Sequence, residues 1–238
     1  MSHLWTWVET LSGSGALVLS EDESRHVAAR RLRVGDALTL FDGHGRRAEA
    51  RIEAIAKRAV EVEVAEVTEV PRPASLPVLA SAIPKGERLS SMLQTMTQLG
   101  VGVWQPLVLE DSVVRKIDPQ AKRLRRILVE GCKVARREWA LEVRPVCSLD
   151  AAVAAASGRG PIFYADREGA ARALDPAASV VLVGPEAGFS ESEFRVLRDA
   201  DAEPRTFAPH NLRIETAVAA AAVALQLGRG SEGGPDGD

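Results

Sequence analysis

The chain has 238 residues, 46% of them apolar, and a formal net charge of −3. That length suits one large domain or a small one joined to a medium one, with enough apolar residues for a proper core. The charge offers no global field toward nucleic acid, and no run reaches the roughly 18 apolar residues of a membrane span. No basic segment followed by an apolar one opens the chain, so no signal peptide is expected. Cys132 and Cys147 lack metal-ligand spacing, and His3, His44 and His210 form no ligand pattern. No metal is therefore expected, and reduced thiols point to a cytoplasmic protein.

Residues 1 to about 70 read as β-rich. A short helix is expected over 21–31, with Ser20 as its N-cap. Further on, Ala48, Ala50, Ile52 and Ala54 alternate with Arg47, Glu49, Arg51 and Glu53, and Val60, Val62 and Val64 alternate with Glu61 and Glu63. Period two with one polar face predicts half-exposed antiparallel strands. Asp42–Gly43–His44–Gly45 is a turn signal between two strands. These features describe a small barrel-like domain over 1–71. Pro71, Pro73 and Pro77 then mark a stiff linker over 72–77.

The pattern changes over 78–228. Strands are predicted over 76–83, 103–109, 161–164, 180–183 and 205–207, and helices over 87–99, 119–137, 149–156, 191–200 and 213–227. Such alternation implies an α/β domain with a mostly parallel sheet. The Gly- and Asp-rich end, 229–238, is expected to be disordered.

Two loops stand out. Val180–Val183 runs into Gly184–Pro185–Glu186–Ala187–Gly188, and Ser190 with Glu193 makes a capping box for the next helix. Glycines there let backbone approach a ligand, or they merely reverse the chain; neither G-x-G-x-x-G nor the phosphate-loop pattern is present. Asn211–Ala217 leads straight into an alanine-rich helix. Its Arg213 and Glu215 stand at the helix start, where a carboxylate is favoured, so they are either site residues or a capping pair. Two such loops at the carboxyl ends of strands suggest a ligand site.

Between Arg115 and Arg144 the chain carries ten basic residues against four acidic ones. Ala121, Leu124, Leu128, Cys132 and Ala135 recur at helical spacing, which buries one face and turns Arg123, Arg126, Arg136 and Arg137 outward. A second basic cluster holds Arg25, Arg31 and Arg33, close to His26. Each is either a phosphate-contacting surface or a solvated helix face.

These residues together resemble a known family. Val183–Gly184–Pro185–Glu186–Ala187–Gly188–Phe189 and Leu212–Arg213–Ile214–Glu215–Thr216–Ala217 are similar to two signature segments of the SPOUT-class RNA methyltransferases that modify uridine N3 in small-subunit ribosomal RNA. Leu40–Gly43, Lys85–Arg88, Leu99–Val101 and Gln105–Leu107 match in the same order. The resemblance implies a PUA-like RNA-binding barrel followed by a trefoil-knotted methyltransferase domain that acts as a homodimer. It implies S-adenosylmethionine bound by loops at Tyr164–Asp166, Val183–Gly188 and Phe207–Thr216, with Tyr164, Ala165, Val183, Gly184, Pro185, Glu186, Gly188, Phe207, Ala208, Pro209, Leu212 and Thr216 as contacts. Arg213 is expected to stabilise charge on the base, with Glu215 orienting it or accepting a proton through water, and ribosomal RNA or the small subunit is the implied partner. The family pattern is departed from at Thr95, Gln98, Asp111, Val134 and Ala187. A non-catalytic relative that binds RNA or ribosomal particles without methylating is therefore the second reading.

Overall fold

The computed structural model describes residues 4–72, 76, 78–172, 174, 175, 178 and 180–230. Most of the expected linker (Pro73, Ala74, Ser75 and Pro77) and residues 231–238 of the expected tail lie outside the described residues. The chain divides into two compact units, Met1–Ala74 with Cys132–Ala140, and Ser75–Gly131 with Leu141–Asp238.

The first unit contains β1 (Leu4–Trp7), β2 (Gly15–Val18), α1 (Glu21–Ala29), β3 (Ala37–Phe41), β4 (Arg46–Ile55), β5 (Val60–Val64) and β6 (Thr68–Glu69). The sheet order is β1-β3-β4-β5-β2, with β6 paired to β4. Only the β1–β3 pairing is parallel. The alternation in β4 and β5 sorts as expected: Ala48, Ala50 and Ile52 are buried while Arg47, Glu49, Arg51 and Glu53 are exposed. A register shift between Ile52 and Ala54 breaks the row, leaving Ala54 half-buried and Ile55 exposed. The Ser20 hydroxyl accepts from the Glu23 amide at 3.3 Å, capping α1. That helix stops at Ala29, two residues short of the expected end, where the chain turns through Arg31 at φ 58°.

Residues 132–140, which the periodicity assigns to the second domain, group with the first unit. Trp139 explains why. Its ring lies against Gly45, where a Cβ would come within 2.4 Å of it, and its Nε1–H donates to the Val70 carbonyl at 2.9 Å. Lys133 and Glu23, both nearly fully buried, pair at 2.5 Å.

The second unit contains β7 (Val78–Ala82), α2 (Glu87–Gln98), β8 (Val103–Val108), α3 (Lys122–Ala135, whose last turn belongs to the first unit), β9 (Glu142–Val143), β10 (Cys147–Ser148), α4 (Leu149–Ala156), β11 (Ile162–Ala170), β12 (Val180–Val183), α5 (Glu191–Asp199), β13 (Glu203–Arg205) and α6 (Ile214–Gly230). The strand order is β10-β8-β7-β12-β11-β13, every pairing is parallel, and β9 adds to β8. β12 is buried along its whole length, as a strand covered on both faces must be.

Several boundaries differ from the sequence reading. β11 runs on to Ala170, because it pairs with β13 across a register shift between Ala165 and Ala170. β13 lies two residues earlier than expected, and α6 extends to Gly230, into the stretch read as tail. α3 begins at Lys122 rather than Pro119, because the Asp118 carboxylate accepts from the Gln120 amide and holds a turn there. It ends at Ala135, where Arg136 takes φ 53°.

Candidate functional site

In the second unit, the segments following or ending β11, β12 and β13 converge on one cleft of about 140 Å³ at the carboxyl ends of the strands. This is where parallel sheets place ligands. Ala165, Val183, Gly184, Pro185, Glu186 and Gly188 line it, as do Phe207, Ala208 and Leu212. Tyr164 does not reach the cleft. Its ring stands edge-on to Phe189 and Phe194, with centroids 5.9 and 6.0 Å away, and so supports Phe189, which does line it. Pro209 faces a separate groove beside α6, and Thr216 is exposed in the first turn of that helix. The sequence reading leaves out Arg167, Arg205 and Thr206, which also line the cleft. Arg205 reads as a strand residue, and only the pairing with β11 brings it to the cleft wall.

The cleft offers backbone chemistry. Gly188 holds φ 84° and closes a tight turn by donating its amide to the Pro185 carbonyl at 2.9 Å. Among the described residues, the amides of Phe207, Ala208, Asn211 and Leu212 find no acceptor. Phe207, Ala208 and Leu212 are half-buried and Asn211 is exposed, and amides without a protein acceptor are left to a ligand or water. Apolar walls from Val183, Phe189, Phe207 and Leu212 sit beside those donors, so a flat heteroaromatic ring with acceptor nitrogens fits.

Polar groups ring the cleft. The Asp166 carboxylate accepts from the Glu168 amide at 2.8 Å. The Arg205 guanidinium is buried, donates to Glu203 at 2.7 Å and to the Pro204 carbonyl at 3.0 Å, and stacks 4.5 Å from the Phe163 ring centroid. The Tyr164 phenol is pushed above its ordinary pKa by burial first and by the Asp166 charge second.

The cleft rests on a fixed support. Glu193 completes the expected capping box with Ser190, accepting its amide at 2.8 Å, and its other oxygen takes the Glu110 amide at 2.8 Å. This ties the start of α5 to the end of β8.

Of the two roles expected for Glu215, orienting Arg213 has no ion pair behind it in this structure, and accepting a proton stands as the other. Arg213 is exposed and makes no ion pair with Glu215. One carboxylate oxygen of Glu215, Oε2, is buried without a hydrogen-bond partner. A buried, unpaired carboxylate oxygen is costly and calls for a donor.

The expected RNA-contacting residues fall on both units. Arg25, Arg31, Arg33 and Arg136 are exposed on the first, and Arg25 is engaged by Asp22. Arg123 and Arg126 are exposed on α3 in the second. Arg137 is a departure from expectation. It is half-buried beside Cys132 and Glu138, and burial holds its pKa below the usual guanidinium range. Among the described residues no group of three or more His, Cys, Asp or Glu is placed to hold a metal, and no helix is long and apolar enough to cross a membrane.

A parallel sheet with a cleft at the carboxyl ends of β11, β12 and β13, accompanied by a small β-rich unit, is the arrangement expected of a SPOUT-class RNA methyltransferase, and the comparisons with known proteins assign the chain to that class. Family models agree: an RNA methyltransferase domain matches residues 71–226, and an RNA methyltransferase PUA domain matches 19–65. The chain is 30% identical to ribosomal RNA small subunit methyltransferase E of Mycobacterium bovis, covering 90% of this chain and 88% of that one. A crystal structure of the same enzyme from Neisseria gonorrhoeae bound to S-adenosyl methionine superposes with a TM-score of 0.80 at 26% identity, over 95% of this chain and 98% of that one. A methyltransferase from Legionella pneumophila, in complex with the same cofactor, gives 0.81 at 31% identity, over 95% and 98%. The chain belongs to the ribosomal RNA small subunit methyltransferase E family.

Proposed function

We propose that this protein transfers a methyl group from S-adenosylmethionine to N3 of a uridine in small-subunit ribosomal RNA, in the cytoplasm. The observation that carries the reading is the cleft, which Phe207, Ala208, Asn211 and Leu212, whose amides have no acceptor among the described residues, line together with the Gly184–Gly188 turn and apolar walls. Those amides suit the acceptor edge of adenine, and Val183, Phe207 and Leu212 suit its faces. The cofactor would supply an electrophilic methyl on a sulfonium; the N3–methyl bond forms as the sulfur–methyl bond breaks, and the N3 proton leaves to a base or water. The residues here do the positioning, which is the larger part of catalysis in such a displacement. Arg213, exposed at the start of α6, is free to meet the developing negative charge on the uracil oxygens. Glu215, with its unsatisfied Oε2, is the candidate to take a proton or hold a donor from the substrate. Arg25, Arg31, Arg33, Arg123, Arg126 and Arg136 are assigned to phosphate contacts. Arg137, half-buried at the turn after α3, is assigned to RNA contact with them.

Homodimerisation and the trefoil knot implied by the resemblance belong to the same proposal. The exposed apolar residues Val223 and Leu227 on α6 support the dimer. The test is methyl incorporation from labelled S-adenosylmethionine into small ribosomal subunits and into their naked RNA, followed by nucleoside mass spectrometry. Methyluridine is the expected product, and no incorporation despite cofactor binding overturns the enzyme reading in favour of a non-catalytic RNA-binding relative. The departures from the family pattern at Thr95, Gln98, Asp111 and Val134 support that second reading. Arg213→Ala separates them: kcat falling about 100-fold with cofactor affinity unchanged supports the catalytic role, and an unchanged kcat removes it.

A further inference from the structure

A second, smaller cavity of about 70 Å³ opens at the carboxyl ends of β7 and β8, on the other side of the Gly184–Gly188 turn from the first cleft. The two cavities share Pro185 and Glu186 as a common wall. The rim of the second is charged: Lys85 and Asp111 are exposed, and Arg88 is held by Glu186 at 3.2 Å. Val113, 80% exposed, stands at its lip as an apolar surface with no cover among the described residues. The α2 helix starts beside it at Gly86, with no side chain capping its amides.

We propose that this cavity, bounded by Lys85, Arg88, Val113 and Glu186, seats the RNA nucleotide that accepts the methyl group, with Arg88 exchanging Glu186 for the nucleotide's phosphate. The inference rests on the methyltransferase reading, because it takes the neighbouring cleft to be the donor site. An acceptor must approach in line with the donor methyl, so its pocket has to adjoin the donor cleft. The groove beside α6 also adjoins that cleft and carries Arg167 and Arg172, but Val223, Leu227, Ala220 and Ala224 make it largely apolar, and its exposed Val223 and Leu227 are the face assigned above to the dimer. The cavity beside β7 sets two cations, Lys85 and Arg88, and two carboxylates, Asp111 and Glu186, beside an exposed apolar surface, so with Glu186 drawn off Arg88 the cations can hold a phosphate while Val113 meets the base. Arg88 and Glu186 are 40% and 48% exposed. A pair so open to water is weak, so an RNA phosphodiester, singly charged like the carboxylate, replaces it without a large penalty and brings more acceptor oxygens to the guanidinium fork.

Two measurements on the full chain test this: anisotropy titration with a labelled uridine oligonucleotide and with small-subunit ribosomal RNA, and calorimetry with S-adenosylmethionine. In Lys85→Ala/Arg88→Ala, RNA affinity is expected to fall at least tenfold and the slope of log affinity against log salt to flatten by about one to two, while cofactor affinity stays within about twofold. Glu186→Gln releases Arg88, and RNA affinity is expected to rise severalfold, a gain that a merely structural pair would not give. RNA affinity unchanged in the double variant, or falling only in step with cofactor affinity and thermal stability, overturns the proposal. Failure of the methyltransferase reading shows separately, as no methyl incorporation by the parent protein.

Discussion

The two sheets of this protein meet water differently. In β5 every second residue is exposed, whereas in β12 none is. In the first unit β2, β4 and β5 spend about every second residue on a solvated face, and the unit folds about a small core that includes Leu38, Leu40, Ile52 and Val62. The second covers its sheet with helices and buries Leu79, Trp104, Val181 and Leu182 completely. A strand with both faces occupied has only its ends left for chemistry. That is why the ligand cleft lies at strand termini in the second unit and why the first unit contributes charge on exposed surfaces.

The sharpest way to break this contrast is a charge in each kind of strand. Leu182→Asp places a carboxylate in the fully buried β12, and urea unfolding followed by circular dichroism is expected to show a loss above about 4 kcal/mol. The opposite change in β5, Glu61→Gln on its exposed row, is expected to stay within about 0.5 kcal/mol. Gly45→Ala comes next. The Trp139 ring occupies the space of the new Cβ and Gly45 sits at φ 94°, so a loss of about 2 kcal/mol is expected, with a change in tryptophan fluorescence. Ser190→Ala removes the cap of α5 and frees Glu193 from one of its bonds, with an expected loss of about 1 kcal/mol and a weakened grip on the Glu110 amide.

The smallest effect is the one carried by the thiols. Burial pushes Cys132 up to about 11, with Arg137 opposing and Glu138 assisting, and Cys147 is raised less completely buried. The folded protein therefore holds the Cys132 proton more tightly than the unfolded chain. Stability from this group is full below the ordinary thiol pKa of 9.0 and declines as pH rises toward about 11. At neutral pH a thiol reagent is expected to label Cys147 well before Cys132, and equal rates would show that α3 opens readily near its end.

Much of the architecture is written locally. The period-two rows of β4 and β5, the Ser20 cap and the Ser190–Glu193 box are each set by neighbours within a few residues, and each forms where the pattern puts it. The glycine turn after β12 is equally local, because Gly188 at φ 84° needs no distant partner to be read as a turn. Other features have no local cause. β11 extends to Ala170 only because β13 lies beside it, and that same pairing carries Arg205 into the cleft wall. Residues 132–140 have a helical pattern, yet Trp139 finds its ring contact and its carbonyl partner in the first unit. Tyr164, Pro209 and Thr216 lie in or beside the right loops, but a side chain's direction depends on packing, and none of the three lines the cleft.

The sequence by itself determined the main helices and strands, their caps and the period-two rows, because hydrophobic period, capping and turn residues act over short stretches of chain. Only the tertiary structure decided which of those loops share a cavity. The order β10-β8-β7-β12-β11-β13 sets β12 between β7 and β11, so its turn divides two cavities and serves as a wall of both. No local pattern encodes that order, since it follows from which buried faces pack best once all the strands are present.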